Sequence, residues 1–333
     1  MGESSRVSLV VFFKKEEQLH DALSCFDLND FKEKDVLVKL HMGEMRNRYY
    51  VKPGFVEKVV SELKKLGSHP FLFDTTVAYR GPRETKEGYK RVARLHGFSE
   101  KKIGCPIVIG EQGVPKTVEG RVFEVAEEIN NVSHIAAITH VKGHIQAGFG
   151  GAIKNFGMGG VTKESKEMIH RGCEPVYDKS KCTLCGKCAE ICLFHAIKVK
   201  KQWQWNNKAC LGCGKCVNTC PTEALCFRDA DLQYLLALSA KACVEGKKVF
   251  YINQLKNIAR SCDCDPLAGP IICSDIGYLV STDMVAVDKA SLDFIHKERG
   301  RVFEEVNGVD PEKQVRFAEK SGLGNSQYNL KVL

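Results

Sequence analysis

Short runs of apolar and β-branched residues recur along the chain, and turn-forming residues bound each run. This pattern is typical of buried strands, and the six clearest runs are VSLVVFF (7–13), DVLVKLH (35–41), PFLFDTTV (70–77), IVIGE (107–111), SHIAAITHV (133–141) and KKVFYINQ (247–254). Residues 54–67 place apolar side chains on one helical face and end at Gly67, which predicts an amphipathic helix with a glycine cap. Residues 121–131 and 282–300 predict further helices. This alternation predicts an α/β fold with a mostly parallel sheet.

Cysteine is the unusual component of the composition, because the 333 residues include 16 cysteines. Eight of them form two copies of a C-x2-C-x2-C-x3-C pattern, CTLCGKCAEIC (182–192) and CLGCGKCVNTCP (210–221). Three thiolates in a tight loop can bind three irons of a cubane cluster, while the fourth points towards a neighbouring cluster. Zinc held by two C-x2-C pairs is the alternative, but it leaves the third and fourth cysteine of each run unused. The spacing therefore favours iron–sulfur clusters.

The two cysteine runs resemble the bacterial two-cluster ferredoxins, in which the ligands cross between the runs. The resemblance implies two [4Fe-4S] clusters with ligands from both runs: cluster I takes Cys182, Cys185, Cys188 and Cys220, and cluster II takes Cys210, Cys213, Cys216 and Cys192. Pro221 matches the proline that follows the last ligand in that family, whereas Leu193 stands at the equivalent place in the first run. We expect Leu193 to change the rigidity of its loop and not the ligation.

The cysteine-rich stretch interrupts the strand and helix pattern and divides the chain. Residues 229–333 hold about one clear strand and several helices, so we expect them to complete the N-terminal sheet and not to form a separate one. The sequence therefore predicts a discontinuous α/β domain of residues 1–173 and 229–333. Residues 174–228 are expected to form an inserted α+β module of the two-cluster ferredoxin type.

The run from 139 to 160, THVKGHIQAGFGGAIKNFGMGG, follows a predicted strand and is rich in glycine and polar residues. Ligands of α/β sheets bind at the carboxyl ends of the strands, so we expect the substrate site here. The candidate proton-transferring or substrate-anchoring residues are His140, Lys142, His144 and Lys154. The candidate cofactor-binding residues are Gly148, Gly150, Gly151 and Asn155.

Two other interpretations of this run stay open. The glycines match neither G-x-x-x-x-G-K-[ST] nor G-x-G-x-x-G, so a tight glycine turn is the alternative to an anion-binding loop. The charged residues are either a catalytic cluster or solvated loop charges beside one buried histidine. A strand continuing from His140 to His144 would place both imidazoles and the intervening lysine on one face.

The chain is similar to the domain-of-unknown-function 362 family in four blocks: VKLHMGE (38–44), FDTTVAYRGPR (73–83), THVKGHIQAGFGGAIKNFGMG (139–159) and DIGYLVSTDMVAVDKASLDFI (275–295). That resemblance implies an α/β domain, often fused to a two-cluster ferredoxin module, and no particular reaction. The AGFGGAIK run also resembles the lactate racemase family, which binds a nickel-pincer nucleotide. The second resemblance implies, as an alternative, a domain that binds a nucleotide cofactor.

A second candidate for chemistry is the CDCDP run, residues 262–266. Cys262 and Cys264 are too few for a structural metal site, but Cys273 or a histidine would complete one. A reactive thiol is the other functional interpretation, and ordinary packing and turn residues are the structural one.

Charge and the N-terminus narrow the class of protein. The formal net charge is +8, and two clusters contributing −2 each would lower it to +4, so the scattered basic residues do not predict nucleic-acid binding. The run SLVVFF ends at Lys14 and Lys15 and is too short for a secretory signal or a membrane span. A chain rich in thiols and without an export signal is expected in the cytoplasm, with no membrane partner.

Two functions follow as hypotheses. The first is an oxidoreductase that passes electrons through the two clusters to a small-molecule substrate in the α/β crevice, with a further flavin or nucleotide as an open question. The second is a ferredoxin-like electron carrier whose α/β domain docks a partner. Either function needs a redox partner protein or a low-potential electron donor.

Overall fold

The computed structural model describes residues 7–333. In chain order its strands are β1 Ser8–Phe13, β2 Asp35–Lys39, β3 His69–Thr75, β4 Ile107–Gly110, β5 Gly113–Val118, β6 Arg121–Ala126, β7 His134–His140, β8 Lys142–His144, β9 Gly148–Gly150, β10 Pro175–Tyr177, β11 Ile197–Val199, β12 Trp203–Trp205, β13 Leu225–Phe227, β14 Lys248–Leu255, β15 Ile258–Ala259, β16 Ile271–Cys273, β17 Gly277–Ser281 and β18 Tyr328–Val332.

The α-helices connect and cover these strands. In chain order they are α1 Leu19–Leu23, α2 Pro53–Lys65, α3 Lys86–Leu95, α4 Glu100–Ile103, α5 Glu127–Asn131, α6 Ala152–Gly157, α7 Lys163–Gly172, α8 Lys187–Glu190, α9 Lys215–Thr219, α10 Leu232–Val244, α11 Met284–Arg299, α12 Val302–Asn307 and α13 Glu312–Lys320. Among the described residues, none of these helices is long and apolar enough to cross a membrane.

One large sheet organises the fold, with the strand order β18-β1-β17-β14-β7-β2-β3-β4. Strand β17 runs antiparallel to both of its neighbours, and the other neighbouring pairs are parallel. All six runs predicted as strands lie in this sheet. The prediction of an α/β fold with a mostly parallel sheet is therefore confirmed.

Strands from both sides of the cysteine-rich stretch form this sheet. The pairing of β14 with β7 extends from Lys248 opposite His134 to Gln254 opposite His140. The C-terminal part supplies three strands, β14, β17 and β18, where the apolar pattern had indicated about one. Residues 229–333 thus complete the N-terminal sheet.

Each face of the sheet packs against its own layer of helices. Strand β7 is buried along its whole length, and successive side chains of a strand point to opposite faces. Accordingly Ile135 and Ala137 belong to the hydrophobic cluster that includes α6, α10 and α11. Ala136 and Ile138 belong to the cluster under α2 and α3.

The predicted helix over residues 121–131 is wrong in its first half. Residues Arg121–Ala126 form β6, which pairs antiparallel with β5, and only Glu127–Asn131 are helical. Glu119 and Gly120 connect the two strands with φ values of 48° and 75°. Two successive positive φ values match the twist of a two-residue hairpin, and this turn overrides the helical pattern that follows it.

The cysteine-rich segment, residues 174–228, folds as a small unit with its ends together. Strand β10 pairs with β13, which places Pro175 opposite Phe227, and β11 pairs with β12. The Arg228 N–H donates to the Glu174 carbonyl at 2.9 Å. The segment therefore leaves and re-enters the larger domain at neighbouring points.

Candidate functional site

A large cavity, partly open to solvent, lies at the carboxyl ends of the central strands. The last residues of β2 and β7, Lys39 and His140, line it together with Asp74 near the end of β3. Residues 207 and 210–212 of the cysteine-rich segment form part of the opposite wall. The cavity is thus shared between the sheet and that segment, at the position where α/β folds bind ligands.

The structure brings most of the sequence-predicted site residues into this cavity. Its lining includes His140, Lys142, His144, Gly151, Lys154 and Asn155. Gly148 and Gly150 are buried outside the lining. A Cβ on Gly148 would lie 2.7 Å from the Val309 carbonyl oxygen, so this glycine allows close packing of the chain on itself.

His140 and Lys142 are tied to a residue far away in the sequence, Asp263. The His140 Nδ1 lies 2.7 Å from Asp263 Oδ1, and the Lys142 Nζ lies 3.2 Å from Oδ2. Burial alone would raise the pKa of Asp263, but the charges of Lys142 and His140 outweigh it and hold that pKa well below its ordinary value. Because His140 Nε2 also lies 2.9 Å from the Lys256 carbonyl, both ring nitrogens are engaged with oxygens of the protein. His140 therefore anchors Asp263 and has no free nitrogen to act as a base.

His144 is the neutral imidazole of the site. The N–H groups of Gln146 and Ala147 donate to its Nδ1 at 3.3 and 3.0 Å, so Nε2 carries the ring proton. Burial lowers the pKa of His144 well below its ordinary value, and the nearby charge of Lys154 adds to this effect. His144 can therefore donate a hydrogen bond to a bound molecule without carrying charge.

The N-terminus of α6 is already satisfied by the protein. The carboxylate of Asp288 accepts hydrogen bonds from the N–H groups of Ala152 and Ile153 at 2.7 and 2.9 Å. A Cβ on Gly151 would collide with this carboxylate, which explains the glycine. Burial raises the pKa of Asp288 to about 6. An anion bound at the glycine-rich turn would have to displace Asp288, so the turn favours packing over phosphate binding.

Asn155 does not face the cavity as a free ligand group. Its Oδ1 accepts from Lys39 Nζ at 2.9 Å, and its Nδ2 donates to Thr139 Oγ1 at 3.0 Å. Lys39 is fully buried and also pairs with Asp74 Oδ1 at 2.9 Å. The side-chain amide of Asn155 thus connects α6 with the ends of β2 and β7 at the floor of the cavity.

Sequence reasoning missed a buried charged network beside that floor. Arg83 is fully buried, and its Nε donates to Glu44 at 2.9 Å while its Nη1 lies 2.7 Å from His41 Nε2. Tyr89 donates to Asp74 and accepts from Arg83, which joins the two ion pairs. The sequence did contain a signal for this network, because Lys39 and Asp74 are charged residues within otherwise apolar strands. Buried charges are rarely found without a partner.

Two further cavity residues come from α7. The Lys166 Nζ donates to Thr75 Oγ1 at 2.6 Å, and burial lowers the pKa of Lys166 to about 7. Burial also lowers the pKa of His170 to about 4, so this imidazole is neutral. A lysine that is half neutral near pH 7 can accept a proton, which adds a base that the sequence pattern did not indicate.

The turn that contains Cys262, Asp263 and Cys264 forms another wall of the cavity. The Cys264 Sγ lies 3.5 Å from His41 Nε2. Cys273 is buried in β16 and does not line the cavity. Cys262 and Cys264 of the CDCDP run therefore line the cavity, whereas Cys273, outside that run, is a packing residue.

The eight cysteines of the two C-x2-C-x2-C-x3-C runs surround two smaller cavities. The first cavity is lined by Cys182, Cys185, Cys188 and Cys220. The second is lined by Cys192, Cys210, Cys213 and Cys216. Each cavity thus gathers three cysteines of one run with the last cysteine of the other run.

Backbone N–H groups point at several of these sulfurs. Leu184 donates to Cys182 Sγ at 3.4 Å, and Gly212 donates to Cys210 Sγ at 3.4 Å. Gly212 has a φ of 64°, and a Cβ there would collide with the His170 carbonyl oxygen. Four sulfurs with amide donors around one small cavity are the donor set that an iron–sulfur cluster requires, so the residues present fit such a group.

Cys210 connects the two parts of the site. It lines both the second cysteine cavity and the large cavity at the strand ends. Cys185 of the first cavity is exposed, whereas Cys216 of the second is buried. The second cavity is therefore the inner one and adjoins the candidate substrate site.

Comparisons with known proteins come from solved structures and from family models. The lactate racemase apoprotein from Thermoanaerobacterium thermosaccharolyticum is 13% identical, with a TM-score of 0.38, and the match covers 76% of this chain and 52% of that one. A protein from Thermotoga maritima is also 13% identical, with a TM-score of 0.39, and covers 72% of this chain and 51% of that one. The chain thus spans about half the length of each. No curated protein sequence matches this chain.

The family comparison covers most of the chain. The model of DUF362, a domain of unknown function, matches residues 36–293. That range contains the strand ends, the glycine-rich turn, the cysteine-rich segment and the CDCDP turn. The chain therefore belongs to the DUF362 family.

Proposed function

We propose that this protein is an iron–sulfur oxidoreductase. In this proposal residues 174–228 are a two-cluster ferredoxin module inserted into the α/β domain, and the large cavity binds a small-molecule substrate. The observation that carries the proposal is the position of Cys210, which lines both the inner cysteine cavity and the large cavity. A group bound at the inner cavity would adjoin the substrate.

The crossed cysteine sets support two [4Fe-4S] clusters as cofactors. Cluster I would be held by Cys182, Cys185, Cys188 and Cys220, and cluster II by Cys192, Cys210, Cys213 and Cys216. When bound, such clusters supply one-electron transfer at low potential. Exposure of Cys185 favours the outer site as the point where a redox partner or low-potential donor delivers electrons.

The polar lining of the large cavity supports a substrate-binding role. His144 offers a neutral N–H donor, and Lys154 offers a cation beside it. Lys166 offers a base whose pKa burial lowers to about 7. A pure electron carrier has no use for buried groups of this kind around a cavity, because its partner contacts only the surface.

Metal analysis tests the cofactor part of the proposal. Anaerobically purified protein should contain about eight irons and about eight acid-labile sulfides per chain. Replacing Cys192 with serine should damage the site of Cys210 and its run, and leave the outer site intact. Zinc without iron, or damage confined to the outer site, would contradict the assignment.

Cavity variants test the catalytic part. His144→Ala and Lys154→Ala should keep the iron content, because they remove polar groups outside the cysteine cavities. They should slow the reoxidation of reduced protein by the small-molecule fraction of a cell extract at least about tenfold. Lys32→Ala, an exposed lysine far from the cavity lining, is the matched control. Equal rates in all variants would favour the carrier over the enzyme.

A further inference from the structure

The turn of residues 262–265 is held rigidly at the wall of the large cavity. The Asp265 N–H donates to the Cys262 carbonyl at 2.9 Å and closes the turn. The Glu44 N–H donates to the Asp263 carbonyl at 3.0 Å, and Asn47 Nδ2 donates to the Asp265 carbonyl at 2.7 Å. With the Asp263 side chain bound to His140 and Lys142, the turn has no freedom to move its two cysteines apart.

The two thiols of this turn differ in character. The neighbouring Cys262 thiol has the largest effect on Cys264 and, with His41 and against the effect of burial, lowers the pKa of Cys264 well below its ordinary value. The neighbouring Cys264 and burial raise the pKa of Cys262 well above its ordinary value. A thiolate two residues from a thiol, on one turn that lines a cavity, is placed to exchange with a disulfide.

The surroundings of the pair do not complete a metal site. Within the described residues 7–333, the one set of three possible metal ligands whose ligand atoms lie within 4.8 Å of one another is Asp293, His296 and Glu312, which lies on α11 and α13. His41 approaches Cys264 but forms no such set with Cys262. Two sulfurs and one imidazole fall short of the four ligands of a structural metal site, so redox chemistry of the thiols is the use that we consider.

We propose that Cys262 and Cys264 are a redox-active pair that alternates between a dithiol and an internal disulfide, and that the substrate of the large cavity is a small disulfide compound. This inference rests on the proposed function, because electrons for the pair come from the two cluster sites. Cys210 and the pair line the same cavity. Each cluster transfers one electron, so the two clusters together can supply the two electrons that reduce the Cys262–Cys264 disulfide.

The chemistry balances in two half-reactions. Cys264 thiolate attacks one sulfur of the substrate disulfide, and the second substrate sulfur leaves as a thiolate. Cys262 then loses its proton and attacks Cys264 Sγ in this mixed disulfide, which releases the second substrate thiol and forms the internal disulfide. Two electrons from reduced [4Fe-4S] clusters then break the Cys262–Cys264 bond, and one proton from solvent restores the Cys262 thiol.

The first experiment measures the pair itself and needs no cluster. Trypsin releases Ser261–Lys289, which contains Cys262, Cys264 and Cys273, so the Cys273→Ser background leaves two cysteines in this peptide. The protein is equilibrated anaerobically with glutathione disulfide, quenched with N-ethylmaleimide and analysed by mass spectrometry. We expect an unlabelled peptide two hydrogens lighter than the dithiol, with two molecules of glutathione released per bond formed. A peptide that stays fully labelled, carries glutathione without closing, or retains zinc would overturn the inference.

The second experiment tests the connection with the clusters. Dithionite added to the oxidised holoprotein should convert the peptide to the doubly labelled form, and Cys192→Ser should slow this conversion about tenfold. Cys105→Ser, a buried cysteine outside both cavity types, is the matched control. Rapid reduction in Cys192→Ser would overturn the electron path. Failure to find iron in the first place would refute the proposed function, while disulfide formation with glutathione would still stand as a separate result.

Discussion

The cysteine-rich segment and the sheet domain are held together by different means. The sheet has hydrophobic clusters on both faces, and β7 is buried along its whole length. The segment has one small cluster of buried apolar residues, Ile197, Cys216 and Leu225, with partly buried side chains around them. A domain of about 60 residues buries only about 60% of the surface that its unfolded chain exposes, so its stability from hydrophobic burial is marginal. The contrast teaches that the sheet is stabilised by its own side chains, whereas in the proposed function the segment depends on the clusters that its cysteines would hold.

Removing iron should produce the largest effect, because it should unfold the cysteine-rich segment and leave the sheet folded. We expect chelated protein to lose amide protection throughout residues 174–228, because binding energy at such sites is folding energy. Strands β7 and β14 should keep their protection, because they pair with each other and not with the segment. Hydrogen exchange followed by mass spectrometry measures both. Unchanged amide protection of the segment without iron would show that the segment, like the sheet, is stable without a bound cluster.

A buried ion pair allows a sharper test of the sheet domain. Asp74→Ala leaves Lys39 without its carboxylate in a fully buried position, so we expect a loss of about 4 kcal/mol in the free energy of unfolding. Lys58→Ala breaks an exposed pair with Glu16 of similar length, 2.8 Å, and should cost less than about 1 kcal/mol. Thermal unfolding followed by circular dichroism compares the two. Equal losses would show that burial does not set the strength of these pairs.

The pH dependence of the sheet domain should follow Lys166. Burial lowers the pKa of Lys166 from 10.5 to about 7 in the folded protein. Between these values the unfolded chain binds the extra proton, so stability should rise with pH, by about 2 kcal/mol from pH 7 to pH 9. Lys166→Met should remove this component of the pH dependence. An identical pH profile in the variant would show that Lys166 keeps its ordinary pKa.

Cutting out the segment should have the smallest effect on the sheet. Pro175 and Phe227 pair with each other, so a short glycine linker from Glu174 to Arg228 closes the gap without moving the host chain. We expect a folded α/β domain with a melting temperature within a few degrees of the iron-loaded protein. A molten or insoluble product would show that the sheet needs the segment and would favour two consecutive domains over an insertion.

The parts of the fold that were predictable are those in which local pattern and tertiary structure agree. The six apolar runs predicted strands because parallel strands buried on both faces read as continuous apolar stretches. Strand β18 was not predictable, because most of its residues are exposed at the sheet edge and show no alternation. Strand β17 was also missed, although all five of its residues are buried.

For the site, the sequence supplied residue types but not partners. The loop after β7 was identified as the site from its position, and most of its candidate residues line the cavity. The contacts that define their chemistry come from distant residues: Asp263 binds His140 across 123 positions, and Asp288 caps α6 across 136. Nothing in local spacing encodes such pairs. The cysteine runs were the exception, because their resemblance to the two-cluster ferredoxins implied the two sets that line the small cavities.

The strand order has a consequence for synthesis on the ribosome. Strands β2, β3, β4 and β7 neighbour one another, so they can pair as soon as β7 has left the exit tunnel. The first strand, β1, lies between β17 and β18, which are made last. Its apolar residues and unpaired backbone groups therefore stay uncovered while nearly the whole chain is translated, which favours aggregation. The sheet therefore cannot be completed during synthesis before β17 emerges.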